Sequence, residues 1–491
     1  MNWHSTAPLD LIHYEPAQVF TAGLRAHHIA TTAYPIGHLI TMRTYKVARV
    51  DVPKIIRRAW EEVGYLGLYV HIPFCEARCG YCEYCVLDPA TNSASEDIYF
   101  SLLMREFEIY RQAIGTPDKR LIGFDIGGGT PALPNIKYIA RVVEAARANF
   151  ILPSEVTISI ETTPKIAARQ PEKIQALYEL GIHRISMGVQ TVNPRLLEEL
   201  GRTSTSLAYN QAAVNNIRGA GFKRFNIDVM YGFANQSRRN LEATLQHVIS
   251  LNPEYITLYR MRYKGTRIAS QAQNINLPEV ADQYALAKEM LLAVGYAGTP
   301  GKNTFSRLVG DVGTSDYLTE RVIRGTPYLG LGLGAQSLSQ KTLAYNSGAA
   351  EKRLEQYQRQ VVAGHLPIQD LYHLSREAAM GKMISVSFYF GEINLPGFSD
   401  KFGKTLEQIF PEEVEFVLRE GLMEYIWTEE GGKMPELGAV NNKRWIVEQK
   451  KPEALRLTNA GVSQVNGVMA LFYAGAVKEY LIGLDKENGL S

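Results

Sequence analysis

The sequence predicts an α/β fold: a partial barrel of six strand–helix units, followed by a mainly helical, winged-helix-like C-terminal domain. Three observations predict it. Six apolar, β-rich runs recur along residues 66–263, their starts separated by 54, 36, 28, 40 and 31 residues. Stretches of helical spacing lie between most of them. Beyond residue 300 the alternation gives way to Gly-rich and then helical patterns. Strands alternating with helices argue a parallel sheet with right-handed crossovers. Six units supply a large part of a barrel, whereas a closed one of the usual kind needs eight. A flat, doubly wound sheet is the competing architecture.

The elements follow in chain order. Residues 1–65 form a leading segment with little regular alternation. The runs LGLYVHIPF (66–74), RLIGFDIGGG (120–129), VTISIETT (156–163), RISMGVQT (184–191), RFNIDVMYGF (224–233) and YITLYRMRY (255–263) read as strands. The first gap has room for a long loop. In 134–150, Ile136, Ile139, Val142, Val143 and Ala146 repeat at steps of three and four; in 237–251, Leu241, Leu245, Val248 and Leu251 do the same. Pro134 and Ser237 are expected helix starts. YLGLGLGAQSLSQ (328–340) reads as a Gly-rich strand and turn. From Thr405, two short helices lead into a β-wing turning at Gly431 and Gly432, and 455–473 reads as a strand entering a helix. The expected division is an N-terminal arm (1–65), the barrel (66–300), a barrel extension and connector (301–370) and the C-terminal domain (371–491).

Composition narrows the function classes. The chain has 491 residues, with 52 Lys+Arg against 50 Asp+Glu, a formal charge of +2. That balance is not the basic excess of a phosphate-backbone binder. Hydrophobic residues at 46% and charged ones at 21% are ordinary for a globular protein. No apolar run approaches the ~20 residues of a spanning helix. The start, MNWHSTAPLDLIHYEP, lacks the basic-then-apolar order of a secretion signal, so the expected location is the cytoplasm. No nucleic-acid or membrane partner is expected, and the chain is expected to be a monomer.

All four cysteines, Cys75, Cys79, Cys82 and Cys85, fall in one window of 11 residues just after the first predicted strand. A disulfide framework would spread them to close loops. Zinc usually draws on two separated pairs. Cys79/Cys82 and Cys82/Cys85 are CxxC pairs, but no small thioredoxin-like domain surrounds them. An iron–sulfur cluster takes thiolates at close spacing along one loop. Three thiolates on a four-iron cube leave one iron with an open position, which means chemistry rather than scaffolding.

HIPFCEARCGYC, with its x3–x2 cysteine spacing, resembles the radical S-adenosylmethionine (SAM) enzymes of the oxygen-independent coproporphyrinogen III oxidase family. So do GGGTP (127–131), SIETTP, RISMGVQ, NIDVMYG and LRLTNAG. The resemblance runs from about residue 66 to the C-terminus, and TTAYP (31–35) is similar to the family's N-terminal arm. It implies a partial (β/α)6, TIM-like radical SAM barrel with a [4Fe–4S] cluster at the strand C-terminal ends. Reductive cleavage of one SAM and hydrogen abstraction from substrate are implied, with a second SAM nearby. Cys75, Cys79 and Cys82 are the implied cluster ligands. Cys85 departs from the family, whose porphyrinogen oxidases carry a non-ligating fourth cysteine one residue nearer.

Further roles follow from the same resemblance. Gly127, Gly128 and Gly129 contact the SAM methionine amino group. Glu161 holds the ribose. Gln190, Arg202 and Asp228 hold the second SAM, beside a backbone strip at Gly332, Gly334 and Ala335. Tyr69 approaches the first SAM and takes a catalytic place. Each has a plain structural alternative: a tight turn for the glycines, a surface acid for Glu161, an Arg202–Asp228 ion pair, strand packing for Tyr69, a hydrogen-bonded core residue for His71, and a bulged edge strand at 332–335.

The C-terminal domain carries Glu407, Glu412, Glu413, Glu415 and Glu420 against Arg419. That is the wrong charge for a DNA-recognition helix, and the family's use of this domain as a cover over the barrel mouth fits better. The expected function is oxidative decarboxylation of a tetrapyrrole or comparably flat substrate, with a flavodoxin or ferredoxin as electron donor. The alternatives are a radical SAM methylase or cyclopropane-forming enzyme, whose second SAM donates carbon, and a heme chaperone. The chaperones' His-Asn…Tyr-Trp motif is absent; the nearest stretch is Tyr345-Asn346-Ser347.

Overall fold

The computed structural model describes residues 13–26, 34–87, 96–202, 204–427 and 451–488. Six strands, β1 (Tyr65–Ile72), β2 (Arg120–Gly128), β3 (Ile158–Thr162), β4 (Ile182–Gln190), β5 (Arg224–Tyr231) and β6 (Tyr255–Arg260), coincide with the six β-rich runs to within a few residues. They lie side by side in chain order and each pair is parallel. A doubly wound sheet reverses its order at a switch point. No reversal occurs within β1–β6, so the partial barrel is the architecture.

The sheet continues past both ends of this block. β7 (Thr304–Ser306) pairs antiparallel with β6. On the other side β8 (Tyr328–Leu331) runs parallel to β1, followed by β9 (Gln336–Leu338), β10 (Thr342–Asn346) and β11 (Ile368–His373), each antiparallel to its neighbour. The expected strand and turn at 328–340 is thus two strands. A separate sheet in the C-terminal region holds β12 (Glu392–Asn394), β13 (Met423–Trp427) and β14 (Pro452–Leu457), in the order β12–β14–β13. Two short helices, Leu406–Ile409 and Pro411–Arg419, precede β13 as expected. The wing expected at Gly431 and Gly432 lies outside the described residues.

Local chemistry explains the helix ends. Ser237 caps the helix Arg238–Ser250 through the Asn240 amide, as expected. The helix expected to start at Pro134 starts at Ile136 instead, because Asn135 accepts from the Lys137 amide. The first gap is more than a loop: it contains the helix Glu96–Ile114.

The leading segment is also more ordered than its pattern. Helices Pro16–Arg25 and Val52–Glu61 form there. The first docks on the far end of the chain through small residues. A Cβ on Gly23 would lie 2.5 Å from the Ala470 Cβ, and one on Gly467 would lie 2.7 Å from the Phe20 ring. One apolar core fills the barrel; a second joins this helix to the C-terminal region. Among the described residues no helix is long and apolar enough to cross a membrane.

Candidate functional site

The cysteine loop leaves β1 at its C-terminal end, where the ends of parallel barrel strands converge. The loop is closed at its base by a Phe74–Leu87 bridge and the Leu87 amide bonded to the Pro73 carbonyl (2.8 Å). Farther out, the Gly80 amide bonds the Leu200 carbonyl (2.8 Å) and the Gly80 carbonyl accepts from the Arg267 amide (3.0 Å). A loop of this length is held in one shape by such backbone bonds rather than by secondary structure.

Cys75, Cys79 and Cys82 face one cavity of about 210 Å³. Thr130 Oγ1 sits 3.6 Å from Cys75 Sγ, and Arg202 Nη1 donates to Cys79 Sγ at 3.6 Å. Burial pushes the Cys75 thiol up to about 12, with Thr130 partly offsetting it, and raises Cys82 as well. Metal ligation takes thiolates, so loading this site releases protons. Cys85 is buried and turned away: its thiol donates to the Gly348 carbonyl (3.0 Å) against Gly334.

Gly128, Gly129, Glu161, Gln190, Arg202 and Asp228 line the same cavity. Their placement has local causes. β4 carries a bulge between Gly188 and Gln190, where Gln190 adopts φ 67, a left-handed conformation rare outside Gly. The bulge re-aims the Gln190 side chain, and its buried Oε1 has no hydrogen-bond partner. Arg202 is held by the Gly188 carbonyl, Thr205 Oγ1 (3.1 Å) and the Tyr81 phenol (2.7 Å). It is not in the Arg202–Asp228 pair weighed from sequence. Asp228 instead accepts from Asn226 Nδ2 (2.7 Å) and Ser186 Oγ (3.3 Å).

The three glycines serve close packing of the protein on itself. A Cβ on Gly127 would meet the Tyr69 ring at 2.9 Å and Glu161 Oε1 at 3.2 Å; one on Gly129 would meet the Phe74 carbonyl at 2.6 Å and Cys75 Sγ at 2.9 Å. Gly128 needs φ 124. Gly129→Ala therefore displaces Cys75. We expect iron bound per chain after anaerobic reconstitution to fall severalfold while far-UV circular dichroism stays unchanged.

Tyr69 and Gly127 lie behind this wall and are not among the residues lining the cavity. Tyr69 is half-buried, with its phenol 3.2 Å from His71 Nδ1 and its ring stacked on Tyr317. The other His71 nitrogen is 2.6 Å from the Cys85 carbonyl, and burial pushes the ring's pKa down to about 4. A neutral His71 with Nε2–H donating to that carbonyl leaves Nδ1 to accept from Tyr69. The strip at 332–335 does not reach the cavity either. The Gly332 amide donates to buried Glu106 (2.8 Å), its carbonyl accepts from Asn346 Nδ2 (2.9 Å), and the Ala335 carbonyl accepts from the Asn346 amide (2.8 Å). These backbone groups are spent inside the protein, which corrects the expectation that Gly332 and Ala335 border a ligand.

Asp125 was missed from sequence because an Asp in an otherwise apolar strand carries no motif. It faces the barrel interior, accepts from Ser315 Oγ (2.7 Å), and keeps Oδ1 unpartnered. Burial pushes Asp125 and Asp228 up to about 6. It pushes Glu161 up to about 8, with the charges of Asp228 and Asp125 adding to the rise. In the folded chain these carboxyls keep protons that the unfolded chain, at 3.8 and 4.5, releases. Their contribution to stability is fully present below about pH 4 and is lost as pH climbs through about 6 and then about 8. We expect the Tm of the cofactor-free protein to fall across that window in differential scanning fluorimetry, and Glu161→Gln to flatten the upper part.

The residues present fit an iron–sulfur cluster with SAM. Three thiols share one wall. Gln190 Oε1 and Thr162 Oγ1 are buried, unpartnered polar atoms in the same lining. Buried carboxyls opposite suit the hydroxyls, amino group and positive sulfur of SAM.

The comparisons agree with this geometry. Residues 69–248 match the Radical SAM superfamily, which implies a [4Fe–4S] cluster and SAM. The chain is 29% identical over 238 residues to a heme chaperone HemW of Mycobacterium tuberculosis, covering 47% of this chain and 60% of the relative. It is 29% identical over 308 residues to an oxygen-independent coproporphyrinogen III oxidase of Salmonella typhimurium, covering 60% and 65%. The chain thus spans less than two thirds of these relatives. The solved structure of coproporphyrinogen III oxidase (HemN) from Escherichia coli superposes with TM-score 0.68 at 21% identity, over 90% of this chain and 96% of that one. The fold is shared.

Proposed function

We propose that this radical SAM protein, which resembles oxygen-independent coproporphyrinogen III oxidase, is an enzyme that takes hydrogen from a tetrapyrrole or comparably flat substrate and decarboxylates it oxidatively. The observation that carries the reading is the convergence of Cys75, Cys79 and Cys82 with Glu161, Gln190 and Asp228 on one cavity at the strand C-terminal ends. When bound, the cluster would supply the electron that cleaves the SAM sulfonium to a hydrogen-abstracting radical, and loss of carbon dioxide from the substrate would then pass the remaining electron to a one-electron acceptor. The chain's own residues do the rest. Cys75, Cys79 and Cys82 would hold the cluster. Glu161 accepts from ribose hydroxyls. Asp228, oriented by Asn226 and Ser186, and Gln190 bind the polar groups of SAM. Tyr69 and His71 brace the wall behind, and the C-terminal domain excludes water from a site where a reactive carbon centre must be protected.

The chaperone reading loses support at Asn346. That side chain is buried and committed to Glu106 Oε1 (2.8 Å) and the Gly332 carbonyl, so the nearest counterpart of the chaperone motif is structural. The deciding experiment is anaerobic reconstitution followed by dithionite, SAM and coproporphyrinogen III, with products read by mass. Loss of carbon dioxide is the expected result. Gain of a methyl or methylene would make the protein a methylase or cyclopropane-forming enzyme, and tight heme binding with no deoxyadenosine would make it a chaperone. A flavodoxin or ferredoxin replaces dithionite in this reading.

A further inference from the structure

A second cavity, of about 280 Å³, adjoins the cysteine-lined one, and the two share Tyr84, Tyr259, Arg260 and Arg262 as a common wall. Its floor is the C-terminal end of β6 and the segment beyond it. Its far side comes from the C-terminal region, through Phe388, Tyr389 and Met469. Two features set it apart from its neighbour. Seven of its 21 lining residues are aromatic, a third, where the chain as a whole has 10%. Its lining contains no carboxylate, only the two guanidinium groups of the shared wall, whereas the neighbour adds Glu76, Glu83, Glu161 and Asp228 to them.

The two arginines are not equivalent. Arg262 is paired with Glu83, which stands inside the cysteine loop between Cys82 and Cys85. Arg260 has no ion-pair or side-chain hydrogen-bond partner among the described residues. Tyr84 and Tyr259 are 56% and 39% exposed, yet their rings border both cavities, and desolvation raises both phenols above their ordinary value. Their exposed faces border both cavities. An unpaired cation beside aromatic faces suits a flat ligand carrying an anionic edge group.

We propose that this second cavity is the substrate chamber, that it takes a molecule of linked aromatic rings bearing carboxylates, and that Arg260 receives one carboxylate while the shared wall presents the rings to the cysteine-lined cavity. The inference rests on reading that neighbouring cavity as the cofactor chamber. Arg262 ties the wall to the cysteine loop and is not the receptor, because its charge is already answered by Glu83. Guanidinium and carboxylate meet in a fork, so Arg260 sets which edge of the substrate faces away from the reacting centre.

The test uses the reconstituted, SAM-loaded full chain and binding read by fluorescence quenching, with coproporphyrin III, its tetramethyl ester and naphthalene dicarboxylate as probes. Arg260→Gln should weaken coproporphyrin III about ten- to hundredfold, the range for losing one charge-assisted hydrogen-bonded contact, and leave the ester unchanged. Arg260→Lys, which keeps the charge but not the fork, should recover only part of the affinity. Far-UV circular dichroism and cluster absorbance establish that both variants fold. Equal binding of the acid by Arg260→Gln and the unaltered chain would overturn the proposal. So would an equal loss for acid and ester, or failure of every probe to bind. Binding of naphthalene dicarboxylate that depends on Arg260, with no binding of coproporphyrin III, would uphold the chamber and sink only the tetrapyrrole reading.

Discussion

Cluster absorbance and deoxyadenosine formation should fall to background in Cys75→Ala, Cys79→Ala and Cys82→Ala, and Cys85→Ala should keep its cluster. This is the largest effect expected of any single change in the chain. The three proposed ligands share one cavity wall, and removing any one would leave an iron of the cube without its protein donor. The fourth thiol is turned the other way, bonded to the Gly348 carbonyl and packed on Gly334. Anaerobic purification, iron and sulfide analysis and the visible spectrum of each variant check the prediction. Retained absorbance in a Cys79 variant, or loss in the Cys85 variant, would refute the assignment.

The second large effect is on stability, at a residue with no motif around it. Glu106 sits in the helix Glu96–Ile114 at 0% exposure. It accepts from the Gly332 amide (2.8 Å), Asn346 Nδ2 (2.8 Å) and the Tyr357 phenol (2.6 Å). Burial pushes its carboxyl up to about 7 against the donors' pull downward. Glu106→Leu strands three buried donors, at about 1–3 kcal/mol each in unmet hydrogen bonding. A loss on the order of 3–5 kcal/mol follows after partial relaxation, read from the denaturant midpoint. Glu106→Gln keeps one acceptor oxygen and should lose roughly half as much. Its carboxyl also favours protons in the folded state, so its own contribution weakens as pH rises from about 4.5 through about 7. If Glu106→Leu unfolds at the unaltered midpoint, the carboxylate is not what joins the 332–346 strands to the barrel.

Much of the fold was readable because its signals are local. The β-rich runs, the helical repeats between them and the Ser237 cap each arise within one stretch of chain. The leading segment was not readable for the converse reason. Its first helix docks through Gly23 and Phe20 on Gly467 and Ala470, a close approach between stretches far apart in the chain that neither stretch records by itself. The motif GGGTP pointed to a ligand. The structure places Tyr69, Glu161 and Cys75 in the space those glycines leave. The resemblance implied a ligand strip at Gly332, Gly334 and Ala335, but Glu106, more than 200 residues earlier, claims the Gly332 amide.

By itself, the sequence determined the order and type of the barrel strands and the spacing of three thiols on one loop, because both are set over a few neighbouring residues. Only the tertiary structure decided that Glu161, Asp125 and Asp228, from three different strands, crowd one interior and are pushed above the usual carboxylate range by burial. It alone turned Cys85 away from its three companions, re-aimed Gln190 through a bulge in β4, and left Arg260 unpaired between two chambers. Charge, burial and hydrogen-bond supply at a point depend on every strand that reaches it, and chain order does not record which ones do.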